Sequence, residues 1–381
     1  MASSSANIDN DDEPDDAPSG ATNTRQVRLE VSSQVLAVCG EWMCVAGKRV
    51  HLVRLADRAE FPLPIACTSV GFDAAGTRLL VGADDKQVLL YDTLPPGDTP
   101  PRKWTAGKKV GCVAFSPDGL FALWSDLFGE CYSVALSEAD ATPQLVLGHL
   151  SPVSHLIFSS NGSALLTADR EGHIRSSHWP HAFVIECYYL WHSTPLSLVL
   201  PLKSCPLVLS ATSEGKEICV WKAHSGALLD RMEASIVQHE ATITCACEIG
   251  APHRLVAFGV RGAIIFCSTL SCAITFSNKP DANSAGSPAL SPMPELTITL
   301  PDLGSCDELA AMAYSATAEC GSRRGMLCAL TKGSGSVLLF PRALDTGRGF
   351  EFDLEFARVV RLVEEPSQNP QAAGEEAMAI S

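Results

Sequence analysis

"VSHLIFSSNGSALLTADREGHIRSS", residues 153–177, decides the fold. Two short apolar runs, VSHLIF and ALLTAD, stand on either side of SSNG, and a third, more polar run follows the acidic turn at 169–172. Runs this short, with no helical spacing of their apolar positions and with turn formers at both ends, predict strands. Asn and Gly tolerate the left-handed backbone that a tight turn requires, so SSNG closes a hairpin. The stretch therefore reads strand, tight turn, strand, acidic turn, strand.

The same order recurs upstream in CTSVGFDAAGTRLLVGADDKQVLLYD (67–92) and VGCVAFSPDGLFALWSDLFGECYSV (110–134), where DAAG and SPDG occupy the place of SSNG. Further units follow at 196–226, 243–268 and 309–341, and a degenerate one precedes them at 35–57. Units spaced by about 40 residues are supersecondary repeats, each unable to bury its apolar surface without its neighbours. We expect a closed array whose last sheet is completed by VRLEV (27–31), because closure removes the exposed sheet edge.

Totals agree with one large repeat domain. The chain has 381 residues, 46% of them hydrophobic, and a formal net charge of −15, which argues against a nucleic-acid binder acting alone. Its 15 cysteines lie mostly in apolar runs and form no Cys-x-x-Cys pair, so they read as reduced core thiols, Cys245 and Cys247 included. Apolar runs stay short of the roughly 18 residues that cross a bilayer, and the N-terminus lacks signal-peptide regions, so an intracellular, soluble protein is expected.

Residues 1–26 and 364–381 are acidic and poor in large apolar side chains, and they are expected to be disordered tails around a domain at 27–363. Residues 277–295, rich in Ser, Pro and Ala, are expected to be a flexible insertion in which Ser287 and Ser291 each precede Pro.

No Gly-x-Ser-x-Gly elbow, phosphate-cradling glycine loop or metal motif occurs, so no catalytic, cofactor-binding or metal-binding residue is assigned. His149 and His192 invite an enzymatic reading. What stands out is the acidic turn, where Arg170, His173 and Arg175 crowd together in an acidic protein. They are either solvated and paired with Asp169 and Glu171, or they meet a partner.

Seven such units resemble the WD-repeat β-propeller family. LGH at 147–149 stands about 30 residues before Trp179, and WH at 191–192 about as far before Trp221, although most Gly-His and Trp-Asp tokens are eroded. In the WD-repeat blades that these units resemble, a histidine at the place of His149 and His192 is structural. The implied fold is all-β, a seven-bladed propeller with disordered acidic tails.

Residues 145–188 carry a narrower resemblance. Leu147, Gly148, His149, Thr167, Ala168, Asp169, Arg170, Ile174, Arg175, Pro180, Ile185 and Glu186 are similar to one blade of the non-catalytic subunit of tRNA (guanine-N7-)-methyltransferase. The departures are Glu171, Gly172 and His173 in the turn, and LWHSTPLS (190–197) at the start of the next unit.

The resemblance implies a scaffold that stabilises a catalytic methyltransferase subunit, which holds S-adenosylmethionine and tRNA, for modification of a guanosine in the tRNA variable loop. It implies a non-enzyme without cofactor, partner contacts at Arg175 first and then at Arg170 and His173, and residence in the nucleus, with the cytoplasm as a second compartment. The rival reading is a general WD-repeat adaptor, for instance in a ubiquitin ligase or trafficking complex, since fold alone does not fix function.

Overall fold

The computed structural model describes residues 35–212, 217–233, 243–249, 255–260, 263–268, 291–292, 298–299, 309–320, 323–331, 336–341 and 358–361. Among them, antiparallel sheets follow one another along the chain, each built from consecutive strands. The first holds β1 (Val35–Cys39), β2 (Trp42–Ala46), β3 (Val50–Arg54) and β4 (Glu60–Leu63). The second holds β5 (Cys67–Phe72), β6 (Leu79–Ala83), β7 (Gln87–Tyr91) and β8 (Arg102–Thr105).

The third holds β9 (Val110–Phe115), β10 (Phe121–Asp126), β11 (Glu130–Ala135) and β12 (Gln144–Gly148). The fourth holds β13 (Val153–Phe158), β14 (Ala164–Asp169), β15 (Ile174–His178) and β16 (Ile185–Tyr189), and the fifth β17 (Leu196–Pro201), β18 (Leu207–Thr212), β19 (Glu217–Lys222) and β20 (Leu228–Glu233).

The sixth pairs β21 (Cys245–Ile249), β22 (Leu255–Val260) and β23 (Ala263–Ser268) in order, with the short β24 (Ser291–Pro292) and β25 (Ile298–Thr299) both against β23. The seventh holds β26 (Leu309–Cys320), β27 (Arg323–Thr331), β28 (Ser336–Pro341) and β29 (Arg358–Arg361). The leading strand of each sheet contacts the leading strand of the next, and β26 returns to β1, so the sheets stand in a ring as in a β-propeller.

Burial follows from that stacking. The second strands WMCVA, LLVGA and ALLTAD lie between two neighbouring sheets and are buried throughout, which is why they read as near-continuous apolar runs. Fourth strands form the outer rim and are open, as in β16. Apolar side chains interlock between sheets: Leu123, Cys131 and Leu147 of the third meet Val153, Leu156 and Leu165 of the fourth. On the other side of the fourth sheet, Leu166, Ala168 and Ile174 meet Val208, Cys219 and Trp221 of the fifth. Each large side chain so buried contributes about 1.5–3 kcal/mol.

The turns are as the sequence reading expects. Gly76, Gly119 and Gly162 end DAAG, SPDG and SSNG with φ of 68°, 69° and 72°, and each donates its N–H three residues back. One expectation is corrected: the place beside β28 is taken by β29, from the chain's own continuation, rather than by 27–31. A strand supplied locally satisfies the same backbone edge without a long return. Residues 27–31 and both tails lie outside the described residues, as does 277–295 apart from 291–292, which extends the sixth sheet.

Candidate functional site

Asp169 ends β14 and organises the turn that follows. Its Oδ1 accepts the backbone N–H groups of Glu171 and His173, both at 3.0 Å, and its own N–H donates to the His173 carbonyl at 3.1 Å. Asp126, at the end of β10, does the same for Phe128 and Glu130 at 2.8 and 3.1 Å. An aspartate that caps its own turn in this way lets the chain reverse within a few residues.

Gly172 has φ +92°, and a Cβ there would stand 2.6 Å from the Thr194 carbonyl oxygen, so the turn packs directly on the loop before β17. Its other side is held by the Arg170 N–H, which donates to the Pro152 carbonyl at 2.9 Å. The turn is thus wedged between the loops at 149–152 and 192–194.

Behind the turn lies His149. Its Nε2 is 2.7 Å from Thr167 Oγ1, and its Nδ1 is 3.4 Å from Asp169 Oδ2. His173 Nδ1 shares that carboxylate oxygen at 3.3 Å. Burial lowers the pKa of His149, and the Arg175 charge lowers it further against the pull of Asp169. His192 holds the equivalent place in the fifth sheet, with Nε2 2.7 Å from Ser210 Oγ, which also accepts the Trp221 indole N–H at 2.7 Å. Both histidines are therefore internal hydrogen-bonding groups of the sheets.

The three basic residues separate. Arg170 is exposed at the tip of the turn and makes no ion pair or side-chain hydrogen bond among the described residues. His173 leaves 46% of its side chain exposed beside Asp169 and Glu171. Arg175, the first residue expected to meet a partner, is only 9% exposed.

The reason is strand parity. Arg175 pairs with Thr167 across β14 and β15, and odd-numbered positions there, such as Leu165, face the third sheet. Its guanidinium enters that gap and donates to the Gly148 carbonyl at 3.1 Å, while its Nε has no hydrogen-bond partner among the described residues. Cys131 lies close enough to feel both Arg175 and Asp126. Ser177, which stands where the fifth sheet has Trp221, leaves its hydroxyl buried without a partner among the described residues.

Several exposed apolar side chains share this end of the strands, a feature that sequence reasoning missed. Leu127 and Phe128 follow Asp126, Leu150 follows His149, and Leu190 and Trp191 precede His192. Lys108 Nζ sits 4.6 Å from the centre of the Phe128 ring, and Arg231 lies 4.1 Å over Trp191, whose indole donates to Glu217 at 3.1 Å. The available signal was the apolar pair in the β10–β11 turn, where turn formers are the norm. This surface thus sets the exposed Arg170 at the same end of the strands as several exposed apolar side chains.

Among the described residues, no three His, Cys, Asp or Glu side chains converge as a metal site. A cavity of about 400 Å³ beside β5, β9 and β13 is lined mainly by apolar residues such as Phe72, Val113 and Phe158, with Ser116 and Lys203 its polar members. No helix of the described residues is long and apolar enough to cross a membrane.

Comparison with known proteins follows this geometry. Residues 137–250, which include the whole fourth sheet, match the model of the tRNA methyltransferase TRM82 WD40 domain. The chain is 26% identical over 219 residues to the tRNA (guanine-N(7)-)-methyltransferase non-catalytic subunit wdr4 of Xenopus laevis, covering 55% of each. It is 31% identical over 161 residues to the non-catalytic subunit wuho of Drosophila pseudoobscura pseudoobscura, covering 42% of this chain and 40% of that one. The matches span about half or less of these relatives' length.

Among solved structures, the β-propeller domain of Myceliophteria thermophila Cps50 (Swd1) superposes with a TM-score of 0.59 over 81% of this chain and 98% of that one, at 11% identity. A chain of the mitotic checkpoint complex gives 0.59 over 94% and 99%, at 14% identity. These likenesses concern fold: the chain is an all-β propeller, and its residues 137–250 are similar in sequence to the TRM82 WD40 domain.

Proposed function

We propose that this WD-repeat chain is the non-catalytic scaffold subunit of a tRNA N7-methylguanosine methyltransferase, a propeller of seven blades that binds and stabilises the catalytic subunit. The single observation that carries the reading is Arg170. It is an unpaired, exposed cation at the tip of a turn fixed by Asp169, on a chain of net charge −15 and inside the segment that matches TRM82.

A cation so placed suits a carboxylate of the partner, which an Arg fork can grip through two charge-assisted hydrogen bonds. His173 flanks the contact. Arg175 supports it from inside, tying β15 to Gly148 beneath the turn. The partner carries the S-adenosylmethionine site and the tRNA-binding charge, and this chain does no chemistry. tRNA is met through the partner, the target is the variable loop, and the complex resides in the nucleus and in part in the cytoplasm.

The test is Arg170→Glu in the full chain, with the methyltransferase subunit from the same organism. Reversing one member of an interfacial ion pair should cost about 2–5 kcal/mol, at least tenfold in Kd. Because the Arg170 side chain has no internal partner among the described residues, the unfolding midpoint should not move. Wild-type affinity in this variant would remove the assignment of the turn, and copurification with ubiquitin-ligase or trafficking components and no methyltransferase would favour the adaptor reading.

A further inference from the structure

At the opposite end of the strands from the Asp169 turn, β7 and β8 are joined by DTLPPGDTPP, residues 92–101, which holds no regular secondary structure. Leu94 anchors the start of this loop in the apolar cluster between the first and second sheets. Residues 97–100 are all exposed, and the Thr99 hydroxyl makes no hydrogen bond among the described residues. Pro95, Pro96, Pro100 and Pro101 hold φ near −65°, which favours an extended chain over a helical one. An extended, solvent-facing hydroxyl is the form in which a protein kinase accepts its substrate.

The sequence around it is selective. Of the Ser-Pro and Thr-Pro pairs in the chain, at 99, 116, 142, 151, 194, 287 and 291, only Thr99 has a basic residue three positions on, Arg102, with Lys103 next. Ser116 is buried, and its hydroxyl is engaged with Asp118. Proline-directed kinases that read a basic residue at that distance therefore find one matching site here.

Arg102 is not idle. Its Nε and one terminal nitrogen donate to the two Asp92 carboxylate oxygens, each at 2.9 Å, and its other terminal nitrogen donates to the Leu136 carbonyl at 3.0 Å. This fork clasps the two ends of the loop. It lies on β8, the edge strand of its sheet, whose outer side is open and whose first residue can fray.

We propose that Thr99 is a phosphorylation site for a proline-directed kinase that reads Arg102, and that the phosphate, once attached, draws Arg102 away from Asp92. In the transfer, Thr99 Oγ1 attacks the γ-phosphorus of a nucleoside triphosphate and forms the new P–O bond. The bond to the β–γ bridging oxygen breaks, the nucleoside diphosphate leaves with the electron pair, and the hydroxyl proton passes to the kinase base. The product carries a charge of about −1.5 to −2 three residues from Arg102, against the single charge of Asp92. A phosphate accepts a bidentate Arg as readily as a carboxylate does, so the more highly charged group wins the fork. The loop then closes on itself and Asp92 is released to water.

The experiment incubates the full chain with a purified cyclin-dependent kinase and ATP, maps phosphate by mass spectrometry, and measures initial rates. The expected result is near-stoichiometric phosphate on Thr99, none there in Thr99→Ala, and a rate at least tenfold lower in Arg102→Gln. Asp92→Asn, which frees Arg102 from its clasp, should be phosphorylated several-fold faster than wild type. Unfolding midpoints verify that each variant is folded, and wild-type mapping does not depend on any variant. Phosphate found only at other residues would overturn the proposal, as would an Arg102→Gln rate equal to wild type. An Asp92→Asn rate at or below wild type would overturn the exchange of Arg102 between carboxylate and phosphate.

Discussion

Replacing Asp169 by Ala should cost about 3 kcal/mol of folding stability, and replacing it by Asn about half of that. The carboxylate accepts two backbone N–H groups at 3.0 Å through Oδ1, and a hydrogen bond to a charged acceptor contributes about 1.5–3 kcal/mol net. The turn is open on one side, so the low end applies to each, giving about 3 kcal/mol for the pair. Asn keeps an oxygen where Oδ1 stands and loses only the charge, and neutral hydrogen bonds are roughly half as strong.

With a urea slope of about 3 kcal/mol per molar, the Ala variant should unfold about 1 M earlier, as read by circular dichroism at pH 7.5. Asp126→Ala, which removes the same pattern at Phe128 and Glu130, should lose a similar amount. On the proposed function, in which the turn displays Arg170 to a methyltransferase subunit, Asp169→Ala should also weaken that binding while leaving the cation in place. An unchanged urea midpoint in Asp169→Ala would refute the reasoning. So would an Asn variant as damaged as Ala, since charge rather than acceptor geometry would then be responsible.

Arg175→Glu should lower the unfolding midpoint of the isolated chain, unlike Arg170→Glu, because it sets a carboxylate at a 9% exposed position beside the Gly148 carbonyl; equal midpoints for the two variants would contradict the burial. Ser210→Ala strands His192 Nε2 and the Trp221 indole N–H, both buried, and should cost about 2–5 kcal/mol by denaturant titration; a loss below about 1 kcal/mol would show that the chain of hydrogen bonds contributes little. Burial lowers the folded-state pKa values of His149 and His192 and brings His155 to about 4, so each is neutral in the fold. The unfolded chain takes up the protons first, so this stability is complete above about pH 6.5 and falls as pH drops, by about 1.4 kcal/mol per proton per pH unit, until His155 titrates near 4. The depressed carboxylates Asp73 and Asp118 add their loss only below about pH 4, so urea midpoints at pH 7.5 and 5.0 isolate the histidines.

Much of the architecture was legible in local pattern. Apolar runs of four to six residues, each closed by a turn ending in Gly162 or its counterparts, specify hairpins because the left-handed turn position and the short strand are local requirements. The recurrence of these units specifies stacking, since no one sheet can bury two apolar faces alone. The acidic turn and its cations were visible as a charge anomaly, and His149 and His192 could be read as structural because their places before β13 and β17 resemble those of histidines in WD-repeat blades.

Tertiary structure decided the rest. Arg170 and Arg175 look alike in the sequence, yet one is exposed and the other is wedged between sheets. Alternation along a strand states that Ile174 and Arg175 face opposite ways, but in this ring both faces of β15 meet a neighbouring sheet, so neither direction leads to water. The acceptor for Arg175, the Gly148 carbonyl, belongs to another sheet, 27 residues away. The outer strand of the last sheet likewise came from 358–361 rather than 27–31, because the segment that follows β28 reaches its open edge at a lower entropic cost than a return from the N-terminal end.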